Sequence, residues 1–321
     1  MTKDNKNGFE PPYPALTPAQ RYHLEVNGYV IVENLLTADE VGRYYEALQK
    51  LRREFFATDD PWNITIRHCG IGGDVFEWAG PQVRFSNYLA TDPLFIDYVA
   101  HPRIVGMAQE VVGSQVRVES TPAIINSGNP DGDPVKADRP VWHRMRYGSY
   151  TENGLYHCSL VNALTNLTDL GPEDGGTVVI AGSHKITCAE EHVVDAARDD
   201  PSLVHQVVAP AGSTMFFCET LLHATGEIRS DKERVVIVAR YCPANYATHR
   251  VIADKETLKV VPEDLRHLIT GRYSSLPRRR VLGMEEGTGR VDENSDGWSL
   301  ESKDPDQVSA NTSSRAGAPT R

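Results

Sequence analysis

Among the eleven histidines of the chain, His223 has the most telling surroundings. It ends the run Gly212-Ser213-Thr214-Met215-Phe216-Phe217-Cys218-Glu219-Thr220-Leu221-Leu222-His223, and after a short turn Arg234 opens a second apolar run, Val235-Val236-Ile237-Val238. The pattern predicts one strand running into an imidazole and the next beginning with a guanidinium. A neutral imidazole can hold a metal, and a guanidinium can grip a carboxylate with two parallel hydrogen bonds. On adjacent antiparallel strands the two would meet opposite ends of one small molecule that chelates a metal and ends in a carboxylate. Thr225, two residues after His223, would share its strand face and offer a hydroxyl to the same carboxylate. The plainer reading of Arg234 is a strand-end cation paired with Asp231 or Glu233.

A metal needs more than one protein ligand. In the facial triad of non-haem iron, two histidines and one carboxylate occupy one face and leave three positions open. His143, in Trp142-His143-Arg144-Met145, is the best upstream partner, on a strand expected to face that of His223 across a barrel. Residues i and i+2 of a strand share a face, so the acid would stand at position 145, where the chain has Met145. A thioether is a soft ligand and a poor substitute for a hard carboxylate on Fe(II). His157 is the rival upstream ligand and also lacks an acid two residues on, while His184, in Gly182-Ser183-His184-Lys185, reads as the end of a turn. Glu152, Asp138 and Glu219 are conceivable replacement carboxylates, none at the expected spacing. Arg144 and Arg146 add positive charge near an acidic substrate, or are simply solvated.

These side chains need a frame. Thr17-Pro18-Ala19-Gln20 and Thr37-Ala38-Asp39-Glu40 are capping boxes, which predict a short helix stopping at Gly28 and a long amphipathic helix reaching about Phe56. Between them Tyr29–Val32 reads as a strand. Pro93–Val112 reads as helix, split at Pro102 and ended by Gly113, and Val116–Asn126 as strand. Short strands then dominate: Tyr156–Leu167, Thr177–Ile180, Val204–Val208, Ser213–Phe217 and Arg234–Tyr241, with a further helix at Pro262–Thr270. Helices followed by many short strands predict a mainly β fold, a sandwich or barrel buttressed by helices. The expected organisation is a flexible N-terminus at 1–15, one domain over 16–283 and a disordered tail over 284–321, where Gly, Ser, Asp, Glu and Thr take over.

The 321 residues carry a formal net charge of −11, which argues against nucleic-acid or anionic-membrane partners. Five scattered cysteines without a CxxC pair suggest neither a disulfide framework nor a thiolate zinc site. With no apolar signal core and no membrane-length run, a cytoplasmic setting is expected.

Over roughly Leu16–Tyr241 the chain resembles the phytanoyl-CoA dioxygenase family of Fe(II)/2-oxoglutarate-dependent oxygenases. The resemblance is carried by Leu16-Thr17-Pro18-Ala19-Gln20 through Asn27-Gly28-Tyr29-Val30-Ile31-Val32, by Pro172-Glu173-Asp174-Gly175-Gly176-Thr177 through Gly182-Ser183-His184-Lys185, and by the Gly212–Tyr241 stretch with its spacing of His223 to Arg234. It implies a double-stranded β-helix, or jelly roll, with His143 and His223 as metal ligands. Arg234 and Thr225 would hold the far carboxylate of 2-oxoglutarate. No catalytic residue is implied beyond the ligands. A small molecule would be oxidised by O2 with release of succinate and CO2. Met145 stands where the family has Asp. That departure leaves two rivals: an atypical two-histidine oxygenase or halogenase, whose chloride space Met145 would fill, and a non-catalytic jelly-roll binding protein.

Overall fold

Thr17 and Gln20 close the first helix reciprocally. The Gln20 amide donates to the Thr17 hydroxyl at 3.2 Å and the Thr17 amide to the Gln20 side chain at 3.0 Å, so α1 runs Pro18–Asn27. The same exchange between Thr37 and Glu40 starts α2, Ala38–Ala57. The computed structural model describes residues 15–57, 82–85, 88–89, 91–126, 142–145, 148–152, 155–246, 258–259 and 261–270. Of the expected N-terminal arm only Ala15 is described, and the expected start of the tail at 284 lies outside these residues.

Gly28 ends α1 at φ 84°, the left-handed conformation that costs a residue with a Cβ about 1–2 kcal/mol. A Cβ here would also lie 2.6 Å from His184 Nδ1 and 2.9 Å from Leu221 Cδ1. Gly28→Ala is therefore expected to cost about 2–4 kcal/mol, from backbone strain plus overpacking. A shift of the urea midpoint equivalent to less than about 0.5 kcal/mol, the size of a neutral surface change, would show that α1 can move aside.

The elements after α1 follow the sequence closely. They are β1 Tyr29–Val32, α3 Leu94–Val99 and α4 Pro102–Val112, separated at Pro102, with Gly113 ending α4 at φ 74°. The predicted strand over 116–126 is two strands, β3 Val116–Ser120 and β4 Ala123–Asn126, broken at Thr121-Pro122 because proline cannot donate to a ladder. The run over 156–167 likewise breaks into β6 Leu155–Cys158 and β7 Val161–Asn166. β8 Thr177–Ile180, β9 Val204–Gln206, β10 Thr214–Cys218 and β12 Arg234–Pro243 match expected strands, whereas the single strand expected to run into His223 breaks after Cys218 and resumes as β11, His223–Thr225, in a different sheet. Three elements were not foreseen: β2 Gln82–Phe85, β5 Ser149–Glu152 and α5 Glu190–Asp199. At the far end a 3-10 turn, Glu263–Leu265, leads into α6, Arg266–Thr270.

Every strand pair is antiparallel. One sheet has the order β1-β10-β7-β12-β4-β2, with β3 pairing β12; a second has β11-β8-β9, and β5 pairs β6. The long β12 is buried along its whole length, and the twofold alternation of a strand divides its side chains between two cores. Val235, Ile237, Ala239 and Tyr241 join the large cluster with α3 and α4. Val236 and Val238 join Met215, Phe217 and Leu164 in a second cluster on the opposite face. Arg234 and Arg240 share the parity of this second set, and that is what turns two cations toward an internal cavity. No helix among the described residues is long and apolar enough to cross a membrane.

Candidate functional site

His143 and His223 are nearest neighbours. Each backbone amide donates to the other's carbonyl, at 3.0 and 3.1 Å, in an isolated antiparallel bridge. Directly paired residues project to the same side, and the two ring centroids lie 4.1 Å apart. The expectation that the two would face each other across a barrel is corrected: they stand side by side on one wall. His223 is buried, while His143 is exposed at the rim. The Nδ1 of His223 is engaged with the Leu221 carbonyl at 2.8 Å. That bond fixes the tautomer with the proton on Nδ1 and leaves Nε2 as the free lone pair, the arrangement typical of a metal-binding histidine. Burial lowers the pKa of His223, partly opposed by Glu219, so the ring is neutral and ready to ligate at neutral pH.

Arg234 also departs from expectation in one respect. Its strand, β12, is not next to β11: β12 belongs to the large sheet and β11 pairs β8 in the small one. The link between them crosses from one sheet to the other, tied by the Gly226 amide to Gly176 and the Arg229 amide to Glu173. Arg234 and His223 therefore line one cavity from different sheets, with His143 and Thr225. Only 2% of Arg234 is exposed. The pairing with Asp231 or Glu233 fails for Glu233, whose carboxylate is held by Arg52, Gln49 and Tyr45 of α2. Among the described residues, Arg234 donates from Nη2 to the Thr177 hydroxyl at 3.3 Å, and Nε and Nη1 are buried without a hydrogen-bond partner. Burial brings its pKa down to about 10, so it remains a cation at neutral pH. A buried guanidinium with idle donors is a costly arrangement that an anion would relieve.

Thr177 was missed as a site residue. It is registered opposite Thr225 in the β8–β11 pair, so both threonines and Arg234 meet at one end of the cavity. The signal was present in Gly175-Gly176-Thr177: the glycines, at φ 75° and 70°, bring the chain close to Gly226 and Val207, and Thr177 is the first side chain after them.

Glu219 does not stand at the expected spacing, yet it is fully buried beside the histidine pair. Asn162, another cavity residue, donates to its carboxylate, and Arg240 Nη2 lies 3.5 Å from Oε1. Burial alone would raise its pKa, but Arg240, His223, Asn162 and His143 together bring it below the ordinary value, so the group is a carboxylate. Its backbone carbonyl accepts from the Met145 amide at 3.0 Å. The alternation Met215, Phe217, Glu219 was the available clue.

The other candidates lie elsewhere. His157 is buried on β6 with Nδ1 against the Val111 carbonyl and its ring stacked on Tyr150. His184 sits in a 3-10 turn, Ser183–Lys185, edge-on to Tyr156, with its pKa lowered to about 4 by burial. Arg144 turns away to Glu190 and to the carbonyls of Ser183, Ile186 and Cys188, bracing that loop rather than meeting a substrate. Glu152 belongs to β5, and Asp138 and Arg146 lie outside the described residues. Among the described residues no three side chains of His, Cys, Asp or Glu form a metal-sized group. The donors fit a metal held by two imidazoles that takes its remaining ligands from a chelating small molecule.

Two antiparallel sheets thus meet around a cavity lined by the paired imidazoles and by a buried cation, in a mainly β protein. The chain belongs to the phytanoyl-CoA dioxygenase (PhyH) family, whose model matches residues 24–236, and this makes it an enzyme of the dioxygenase class. It is 22% identical over 242 residues to a probable phytanoyl-CoA dioxygenase of Caenorhabditis elegans, covering 70% of this chain and 75% of the relative. It is 27% identical over 163 residues to an ectoine dioxygenase of Streptomyces coelicolor, covering 50% and 49%. Among solved structures, HygX from Streptomyces hygroscopicus with nickel and 2-oxoglutarate bound superposes with a TM-score of 0.55 at 20% identity, over 78% of this chain and 94% of that one. That likeness is one of fold.

Proposed function

We propose that this protein is an Fe(II)/2-oxoglutarate-dependent oxygenase of jelly-roll fold that oxidises a small organic molecule with release of succinate and CO2. The observation that carries the reading is Arg234, buried in the histidine-lined cavity with two N–H groups free to grip a carboxylate. His143 and His223, the latter through Nε2, would hold the iron. Arg234, with the hydroxyls of Thr225 and Thr177, would hold the far carboxylate of 2-oxoglutarate. When bound, iron and the 2-oxo acid supply the oxidising chemistry with O2. The chain's own share is to orient and to exclude water, and Leu164, Phe217 and Val238 give the cavity the apolar wall for that. Family membership and the 2-oxoglutarate in the similar HygX structure support the assignment.

The test is reconstitution of the full chain with Fe(II) and 2-oxoglutarate under air. Expected is succinate that depends on both additions and on O2. Tight binding of iron and 2-oxoglutarate with no succinate, across a panel of small-molecule substrates, would leave a binding protein in place of an enzyme.

A further inference from the structure

Position 145 leaves the histidine pair without an acid on the segment of His143, and the structure brings a carboxylate close by from another segment. Glu219 is 0% exposed, faces the two cavity residues Asn162 and Arg240, and has its backbone tied to Met145 itself. Burying a carboxylate costs several kcal/mol unless something offsets it. The offset here is partial. Asn162 donates to one oxygen, while among the described residues Oε1 accepts no hydrogen bond and has the Arg240 guanidinium at 3.5 Å, well outside the close fork of a bidentate pair. An under-satisfied buried anion beside a pair of imidazoles is what a divalent cation held by those imidazoles would complete.

We propose that Glu219 is the anionic member of this metal site, supplying from behind the histidine pair the negative charge that an acid at position 145 would supply. The proposal rests on the iron reading above. As placed, Glu219 acts by its charge rather than by a bond to the metal, because no three ligating groups form a metal-sized cluster among the described residues. A carboxylate held near a metal in a low-dielectric pocket lowers the energy of the bound cation without joining its ligands. Asn162 and Arg240 are then positioning residues that keep Glu219 ionised and aimed.

The test is Co(II) titration of the full chain, followed by calorimetry and by the visible absorption of the bound ion, in the wild type, Glu219→Gln, Met145→Asp and the two combined. Glu219→Gln keeps shape and removes charge, so Co(II) affinity is expected to fall about 10–100-fold, the usual cost of losing an outer partner of a metal site. Met145→Asp in the Glu219→Gln background is expected to restore it, which a merely structural role for Glu219 would not allow. Wild-type affinity in folded Glu219→Gln overturns the proposal. If that variant misfolds because Arg240 is left buried and unpaired, Glu219→Gln is made in an Arg240→Gln background, and equal Co(II) affinity of Arg240→Gln alone and of the double variant overturns it equally. A wild type that binds no Co(II), with or without 2-oxoglutarate, defeats the iron reading itself; tight binding by both wild type and Glu219→Gln defeats only the role of Glu219.

Discussion

Arg234→Ala is expected to weaken 2-oxoglutarate binding by about a hundredfold or more, the effect of removing one partner of a desolvated charge pair, and to leave Co(II) affinity unchanged. The split follows from position. Arg234 enters the cavity from β12 in the large sheet, while His143 and His223 are paired with each other at the small sheet. A second readout separates this role from a structural one. Without ligand, Arg234 is a buried cation whose Nε and Nη1 have no hydrogen-bond partner, so alanine removes a cost and the melting temperature should hold or rise. The rise in melting temperature that 2-oxoglutarate gives the wild type should vanish. Arg234→Lys keeps a charge but loses the planar fork, and should fall between the two. Equal loss of metal and 2-oxoglutarate affinity, or a sharp drop in stability without ligand, would count against the carboxylate role.

What the sequence disclosed and what it withheld divide along a physical line. Capping boxes are local, and Thr17 and Thr37 start their helices where the spacing placed them. β12 was equally plain, because an unbroken Val235–Val238 run flanked by arginines has only one comfortable conformation. α5 escaped because Ala189 at its start makes no side-chain cap, so nothing local marks it. Strand partnership was the larger loss. Strands consecutive in sequence are most often neighbours, which made β11 and β12 look like a hairpin. Their true partners, β8 for one and β7, β4 and β3 for the other, are fixed by burial of both faces, a tertiary fact. The site shows the same divide. His143, His223, Thr225 and Arg234 were singled out from residue type and spacing, and they converge on one cavity. Thr177 and Glu219 carry fainter marks, a glycine pair and a twofold alternation, and it is strand register and a chain crossing that bring them to the site.

His223→Ala is expected to abolish measurable Co(II) binding and, with it, metal-dependent succinate formation, while the fold survives. The loss should exceed the roughly 10–100-fold that follows removal of an outer partner, since here a donor atom itself is gone. The cost to the fold is small by comparison. The Leu221 carbonyl loses the bond from Nδ1, worth about 1 kcal/mol net, and the bridge to His143 is made by backbone atoms that alanine keeps. His143→Ala should lose the metal as well, with even less effect on stability, because that ring is exposed at the rim. Residual 2-oxoglutarate binding through Arg234 should persist in both variants, the converse of the Arg234→Ala pattern. The measurement is a Co(II) titration beside a 2-oxoglutarate titration on each variant. If His223→Ala binds Co(II) as tightly as the wild type, the metal lies elsewhere, and the neutral, buried imidazole with its fixed tautomer serves only to pack against Phe217, whose ring it meets edge-on at 4.9 Å.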